Sequence, residues 1–408
     1  MEYPFSVVAV DVGGTKIACA VVRYENVDAA PIILSKRSIP TDAQQGGEVV
    51  LARILDLVDD VRAEALSHGE TIVGVGVATA GRVDVNTGNI AFANEIMPGW
   101  SGQPLGDALR ERFECPSAVL GDVQSHALGE ARWGAARGAQ TAVVMAPGTG
   151  LGGGIICHGK IVRGKHGFAG EIGSTMNTLD AGDGNLESVA AGSGIEARYY
   201  AACGVHQTGA EISHRAQLGE DIARQTIENA GRALGLALAG WTNIFDPDIA
   251  VVSGSVTKAG PIWRDAMVSA FKERTPGVLA DLPIVDASLG DNAPLIGAAE
   301  NLLDTLKAHE EECVGMAANM IGVRKNIIAV HMGFMNVLMY NPKIIKKSGA
   351  YETEEGCLSL AGVRKCMRCQ EIEVQYQDVN FKQQRQTYSG WIAQIIQHEI
   401  DHCCGILI

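Results

Sequence analysis

Positive charge is scarce in this chain. Its 408 residues carry 33 Lys and Arg against 47 Asp and Glu, for a formal net charge of -14 and a pI near 5.2. That balance excludes nucleic acid or an anionic membrane as a bulk electrostatic partner. An anionic substrate then needs a local cradle with a metal. Long hydrophobic runs are also missing: the most apolar stretches, such as Ala233 to Trp241, are short and broken by glycine, below the length of a membrane span. No targeting stretch opens the sequence, because Met1 to Phe5 leads directly into an apolar strand without a basic n-region or cleavage site; the cytoplasm is the expected location. Without a signal peptide, the ten cysteines read as free thiols or metal ligands instead of a disulfide framework. Six of the ten lie at or beyond Cys313, a composition shift that marks a boundary near residue 300.

What is present fits two or three domains of ordinary soluble composition, with 47% hydrophobic and 20% charged residues. Ser6 to Val10 is a β-rich run ending in Asp11-Val12-Gly13-Gly14-Thr15-Lys16, and Ile17 to Val22 follows as its hairpin partner. Glycines let the turn approach a phosphate, its amides can point at the oxygens, and an acid at the strand end suits Mg²⁺. An ordinary glycine hairpin has the same appearance. Glu48 to His68 has helical spacing, Thr71 to Ala80 reads as a buried strand with a glycine turn at Gly81, and Ala118 to Gly121 leads into Asp122 and a helix over Val123 to Gly134. An Asp at the C-terminal end of a strand faces the cleft of an α/β fold. Read alone, it serves equally as a helix cap.

Thr141 to Met145 runs into Ala146-Pro147-Gly148-Thr149-Gly150-Leu151-Gly152-Gly153-Gly154. A strand follows where a dinucleotide fingerprint would place a helix, so a second phosphate hairpin fits better. Gly170-Glu171-Ile172-Gly173 and Glu187 add carboxylates, Ile222 to Asn243 is a long helix, and Ile249 to Val256 is a strand ending at a glycine turn.

The motifs DVGGTK, NEIMPGW, GDVQSHALGE, APGTGLGGG, GEIG, VVSGSV and GDNAPLIGAA stand in the order and spacing of the ROK family (repressors, open reading frames and kinases). The resemblance covers roughly residues 5 to 303. It implies an α/β two-lobed, actin-like (ribonuclease H-like) kinase fold, with lobes over 1–120 and 121–300 and the active site between them. By the resemblance Asp122 is the general base for a sugar hydroxyl attacking the γ-phosphate of ATP. Asp11 organises Mg²⁺; Gly13, Gly14, Thr15, Lys16, Gly148, Thr149, Gly150, Gly152 and Gly153 cradle the phosphates; Gly254 lies beside the adenosine. Asn94, Glu171 and Glu187 match sugar-binding positions, where acceptor-only carboxylates suit a polyol. The chain departs from the family pattern in the sugar pocket. The His of GEIGH is Ser174, no cysteine occurs between Cys157 and Cys203, and the Asn that usually precedes the catalytic Asp is Gly121. No structural zinc is therefore expected in this half, and glucose, N-acetylmannosamine and N-acetylglucosamine all remain as acceptors. Asp11 stands too near Met1 for the helix-turn-helix of the repressor branch. The kinases of the family are commonly homodimers.

Past residue 300 the pattern changes. Leu295, Ala298, Ala299, Leu302, Leu303 and Leu306 fall at helical spacing, with no Pro/Gly/Ser-rich spacer. After them come Val314-Gly315-Met316-Ala317-Ala318, Glu355-Gly356-Cys357-Leu358-Ser359 and Gln397-His398-Glu399-Ile400-Asp401-His402. His398 and His402 at i, i+4 share one helix face, the spacing of two metal ligands flanking a Glu that acts on metal-bound water. The triplet of motifs resembles peptide deformylase, a small α+β metallohydrolase. The resemblance implies a domain over 301–408 that lacks its usual N-terminal segment. In it Cys357, His398 and His402 bind Fe²⁺ or Zn²⁺, Glu399 is the general acid/base, the Leu358 amide supports the oxyanion, and the substrates are formyl-Met peptides. Met320 stands where the family has a Gln and cannot donate to the oxyanion. Arg364 and Arg368 either meet the substrate backbone or are solvated.

Three readings follow: a hexose kinase fused to a truncated deformylase-like domain; a deformylase with a secondary kinase half; and a non-catalytic fusion. ADP release with a panel of hexoses, against formate release from formyl-Met peptides, separates them. Neither nucleic acid nor a membrane is an expected partner.

Overall fold

The computed structural model describes residues 3–177, 179, 184–312, 315–317, 326–331, 336–357, 360–378, 381–403 and 406. The chain divides into two compact units, one of Met1–Arg112 and Pro116–Leu303, the other of Phe113–Cys115 and Asp304–Ile408.

The first unit is one sheet pattern used twice. β1 (Phe5–Val12), β2 (Lys16–Tyr24) and β3 (Ile32–Pro40) form an antiparallel meander; α1 (Gly47–Ser67) then returns the chain to β4 (Ile72–Thr79), parallel to β1. A two-stranded ribbon, β5 (Arg82–Val83) and β6 (Ile90–Phe92), and α2 (Leu105–Phe113) precede β7 (Ser117–Gly121), parallel to β4. The sheet order is β3-β2-β1-β4-β7. After α3 (Asp122–Trp133) the pattern repeats with β8 (Ala142–Pro147), β9 (Leu151–Cys157) and β10 (Lys160–Ile161). The connection to the parallel pair runs through α4 (Glu187–Ala190), α5 (Gly192–Cys203), α6 (Gly209–Gln217) and α7 (Asp221–Phe245). β11 (Ile249–Val252), α8 (Pro261–Arg274) and β12 (Ile284–Asp286) complete a sheet of order β10-β9-β8-β11-β12.

Central strands covered on both faces read as continuous apolar runs, and Val7 to Val10 of β1 are indeed fully buried. β11 is shorter than the expected strand over Ile249 to Val256, because Gly254 at φ 82° turns the chain back toward β8. In α7 the stripe Ile227, Leu234 and Leu238 enters the core, and Gly231 and Gly235 lie under the Trp263 and Met267 carbonyls of α8, where a Cβ would overlap.

α9 (Ala293–Glu312) is one continuous helix. Its residues Leu295, Ala298, Ala299 and Leu302 are fully buried, as their spacing requires. Gly297 rests on the Ser125 carbonyl of α3 and the Ala298 carbonyl rests on Gly76 of β4, close backbone contacts that only glycine allows. The buried Glu300 accepts hydrogen bonds from the Tyr24 hydroxyl and the Trp133 indole, both at 2.8 Å.

The second unit is an antiparallel sheet of order β13 (Gly315–Ala317), β14 (Ile327–His331), β15 (Asn336–Cys357), β16 (Leu360–Gln377) and β17 (Gln383–Ser389), with α10 (Gly390–Cys403) packed on it. Ile328, Val330, Met339, Ile372 and Val374 of the sheet meet Ala393, Ile395 and Ile396 of the helix. Gln397 locks the helix down: its amide accepts from the Cys369 N–H and donates to the Cys369 carbonyl, each at 2.9 Å. Among the described residues no helix is long and apolar enough to cross a membrane.

Candidate active sites

Both hairpins of the first unit end in three-residue glycine turns, each closed by a backbone hydrogen bond from its first glycine. In the β1–β2 turn the Gly13 N–H donates to the Lys16 carbonyl at 3.0 Å, and Thr41 clamps the turn from β3, its hydroxyl donating to the Gly13 carbonyl at 2.6 Å. In the β8–β9 turn the Gly148 N–H donates to the Gly150 carbonyl at 2.8 Å. The first N–H groups of α5, from Gly192 and Ser193, hold the Gly148 and Thr149 carbonyls at 2.8 and 3.2 Å. Among the described residues no protein acceptor takes the Gly14 and Thr15 amides of the first turn or the Thr149 and Gly150 amides of the second. Adjacent amides with no protein acceptor are the kind of group that can meet an anion.

A cleft of about 330 Å³ opens beside the second turn, and Gly148, Thr149, Gly150, Asp122, Glu171 and Glu187 are among its walls. Asp122 opens α3 directly after β7, and Gly121, not Asp122, is the helix cap. Its Oδ1 accepts from the Val123 N–H at 2.9 Å. Burial pushes the Asp122 carboxyl above the ordinary range, against the pull of the Val123 N–H and Arg82. Asp11, half-buried at the end of β1, is pushed up to about 6 by burial and by the charge of Asp122, with Lys16 opposing. Glu187 is pinned in the cleft by the Leu151 N–H at 2.7 Å, and a Cβ at Gly150 would stand 2.7 Å from its Oε2. Glu171 pairs with Arg82.

Other expected residues fall elsewhere. Lys16 is exposed and meets Asp291 at 3.3 Å. Gly152 and Gly153 line the cleft, but both also permit close packing: a Cβ on Gly152 would overlap Val123 of α3, and one on Gly153 would stand 2.8 Å from Ile172. Gly254 packs under the Pro147 carbonyl, where a Cβ would overlap. It thereby brings Ser255 to Ala259 to a second cavity of about 470 Å³, which shares the walls Gly148 and Thr149 with the first. Asn94 is exposed and is not among the cleft walls; its Oδ1 accepts from the Ile96 N–H at 3.2 Å. The Ile96 methyl would stand 2.7 Å from a Cβ at Gly14, so the segment carrying Asn94 packs on the first turn.

Three residues in or around the site have no role that spacing in the sequence assigns. Arg82 enters the cleft directly after the glycine turn at Gly81. Asp291, in GDNA, partners Lys16. Glu130, fully buried in α3, accepts from the N–H groups of Ala135, Ser288 and Leu289 at 2.7 to 3.1 Å and so ties α3 to the loop before α9.

In the second unit, the Nε2 atoms of His398 and His402 on α10 lie 2.9 Å apart. His398 Nδ1 lies 2.8 Å from Glu355 Oε2. Arg368 grips both oxygens of Glu355 at 2.8 and 2.7 Å and donates to Asp401 at 2.6 Å. Arg368 is therefore neither solvated nor open to a substrate: it is 5% exposed, while Arg364 is exposed. Burial pushes the Glu355 carboxyl up, but the hydrogen bonds from His398 and Arg368 outweigh it and leave it at about 2. Burial and the neighbouring His398 hold His402 below its ordinary value, in the neutral form. Two convergent imidazole nitrogens, one ring held at its far nitrogen by a carboxylate, are donors of the kind that hold a metal, although among the described residues no third ligand joins them. Glu399 is buried on the same helix. Cys357 ends β15, and its side chain lies outside the described residues, as do Leu358 and Met320.

Residues 7–304 match the family model described as "ROK family", and residues 287–408 match that described as "Polypeptide deformylase". A glucokinase of Halalkalibacterium halodurans is 31% identical over 312 residues, covering 71% of this chain and 92% of that protein. A peptide deformylase of Clostridium beijerinckii is 55% identical over 109 residues, 27% of this chain and 80% of that protein. A ROK family glucokinase from Streptomyces griseus, solved in complex with glucose and AMPPNP, superposes with a TM-score of 0.59 at 29% identity, over 72% of this chain and 98% of its own.

Proposed function

The chain belongs to the ROK family over its first unit and carries a C-terminal peptide deformylase domain, and from that premise we propose two reactions, one in each. The first unit phosphorylates a hydroxyl of a hexose or N-acetylhexosamine with ATP. The observation that carries this reading is the pair of cavities meeting at the Gly148–Thr149 turn, one walled by three carboxylates. ATP lies across the turn, its adenosine beside Gly254 and its phosphates on the free amides of both turns and Lys16. The sugar lies in the cleft with its hydroxyls donating to Glu171 and Glu187, and Asn94 is assigned to the same acceptor. Asp122 takes the proton of the attacking hydroxyl, the sugar oxygen bonds to the γ-phosphorus, and ADP leaves. A carboxyl raised by burial is a better base than a solvated one. Asp11 is an oxygen donor of the kind that holds Mg²⁺, and that ion would supply charge neutralisation at the phosphates.

The deformylase domain hydrolyses N-formyl-methionyl peptides. Cys357, His398 and His402 would hold Fe²⁺ or Zn²⁺, which when bound lowers the pKa of a water molecule. Glu355 orients His398, Glu399 takes and returns the proton, and the Leu358 amide meets the developing oxyanion. Without a donor at Met320 the expected rate is lower by on the order of 10²-fold or more.

The organisation assigned is two lobes over 1–120 and 121–300 and the deformylase domain over 301–408, in a cytoplasmic homodimer paired through the first unit. No structural zinc is assigned to the first unit. Metal analysis of the purified chain tests the second site: about one equivalent is expected, lost in Cys357→Ser. Retention of the metal in that variant contradicts the ligand set. For the first site, ADP release must depend on a hexose; release that no hexose stimulates contradicts the kinase reading.

A further inference from the structure

Arg82 is the one basic side chain among the described residues of the carboxylate cleft. It opens β5 directly after Gly81, and it is held from two sides: its Nη2 pairs with Glu171, and its Cζ lies 5.6 Å from the centre of the Phe168 ring. This meeting is built by the backbone. Gly167, at φ 75°, packs under the Val83 carbonyl, where a Cβ would overlap, and so carries Phe168 and Glu171 up to β5. The Arg82 and Glu171 side chains are each only 26% exposed, and Arg82 Nε is buried without a hydrogen-bond partner. A guanidinium carries five N–H donors, and the pair with Glu171 leaves others of them to meet an acceptor oxygen of a ligand in the cleft.

The other cleft groups define what that acceptor is. Asp122, Glu171 and Glu187 only accept hydrogen bonds, and the hydroxyls of any hexose can donate to them. An arginine only donates. An amide carbonyl oxygen carries no proton, so no carboxylate can serve it and Arg82 can. Resting on the kinase reading above, we propose that Arg82 binds the acyl oxygen of an N-acylhexosamine and makes the first unit selective for such sugars over the parent hexoses. A lysine is a point charge on a flexible stem; it keeps the pair with Glu171 but cannot present a second, fixed donor.

The test is calorimetric binding of glucose, mannose, N-acetylglucosamine and N-acetylmannosamine to the full chain without nucleotide, alongside ADP release with each. Wild type should bind an N-acylated sugar at least roughly tenfold more tightly than its parent. Arg82→Leu should weaken the N-acylated sugar at least roughly tenfold more than it weakens the parent hexose, the difference lying in KM. Arg82→Lys should lose the same preference while keeping the fold, and it decides the matter if Arg82→Leu does not fold. Equal weakening of both sugars in Arg82→Lys, or a wild type that prefers the parent hexose, overturns the proposal. Failure of every sugar to stimulate ADP release would instead overturn the kinase reading beneath it.

Discussion

The two sites of this chain handle their carboxylates in opposite ways. In the first unit Asp11 and Asp122 are buried with few donors, so both are raised, Asp11 to about 6. In the second, Glu355 is buried as well, yet Arg368 and His398 saturate it and bring it down to about 2. Burial alone therefore does not fix the role of an acid; the number of donors turned toward it does. A raised carboxyl is a stronger base than a solvated one and suits proton transfer. The lowered one is scaffolding that holds a ring in place.

Breaking the scaffold should give the largest effect. Arg368→Ala strands the buried Glu355 of β15 without its bidentate partner, and loss of one partner of a buried pair costs about 3–5 kcal/mol. Chemical denaturation should show the deformylase transition moved by that amount and the kinase transition unmoved. Next comes Glu130→Ala, which removes the acceptor for three backbone N–H groups and should cost about 1–3 kcal/mol. Its kinase transition should shift and its deformylase transition should not. A titration sharpens the contrast further. Because Asp11 is raised, phosphorylation should decline as pH falls through about 6, up to about tenfold per unit, as the carboxylate protonates. The stability sign is opposite: a carboxyl raised above its model value of 3.8 favours the folded state as pH falls from about 6 toward 3.8, and that gain is absent above 6. Glu355 contributes stability that is present above its model value of 4.5 and is lost as pH falls toward about 2. The smallest effect belongs to Lys16→Ala. Its pair with Asp291 is exposed, so the melting transition should move by no more than about 1 kcal/mol.

Much of this was legible in the residues because it was local. Apolar periodicity gave α7 and α9, the i, i+4 spacing of His398 and His402 gave α10, and glycine between β-rich runs gave both hairpin turns. The ROK resemblance and the deformylase resemblance both stand. What the residues hid is long-range. Arg82 meets Glu171 only because a glycine far along the chain packs under β5, and no spacing in the sequence encodes that contact. Arg368 offered two readings, substrate contact or solvation, and is neither, since its partners come from β15 and α10. Glycine is also ambiguous on its face. In Gly148 to Gly154 the first residues form the turn that lines the cleft, while Gly152 and Gly154 are small because α3 packs on them. The cleft, finally, holds Glu171 and Glu187 but not the exposed Asn94, whose segment packs on the first turn instead.

The central claim is that one chain carries two separate catalytic centres. The measurement that reaches it most directly is ADP release with a hexose and formate release from a formyl-Met peptide, both followed on the full chain in wild type, Asp122→Asn and Glu399→Ala. Asp122→Asn should lower the first activity on the order of 10²–10⁴-fold and leave the second intact, and Glu399→Ala should do the reverse. If either substitution stopped both reactions, the assignment of one site to each unit would be wrong.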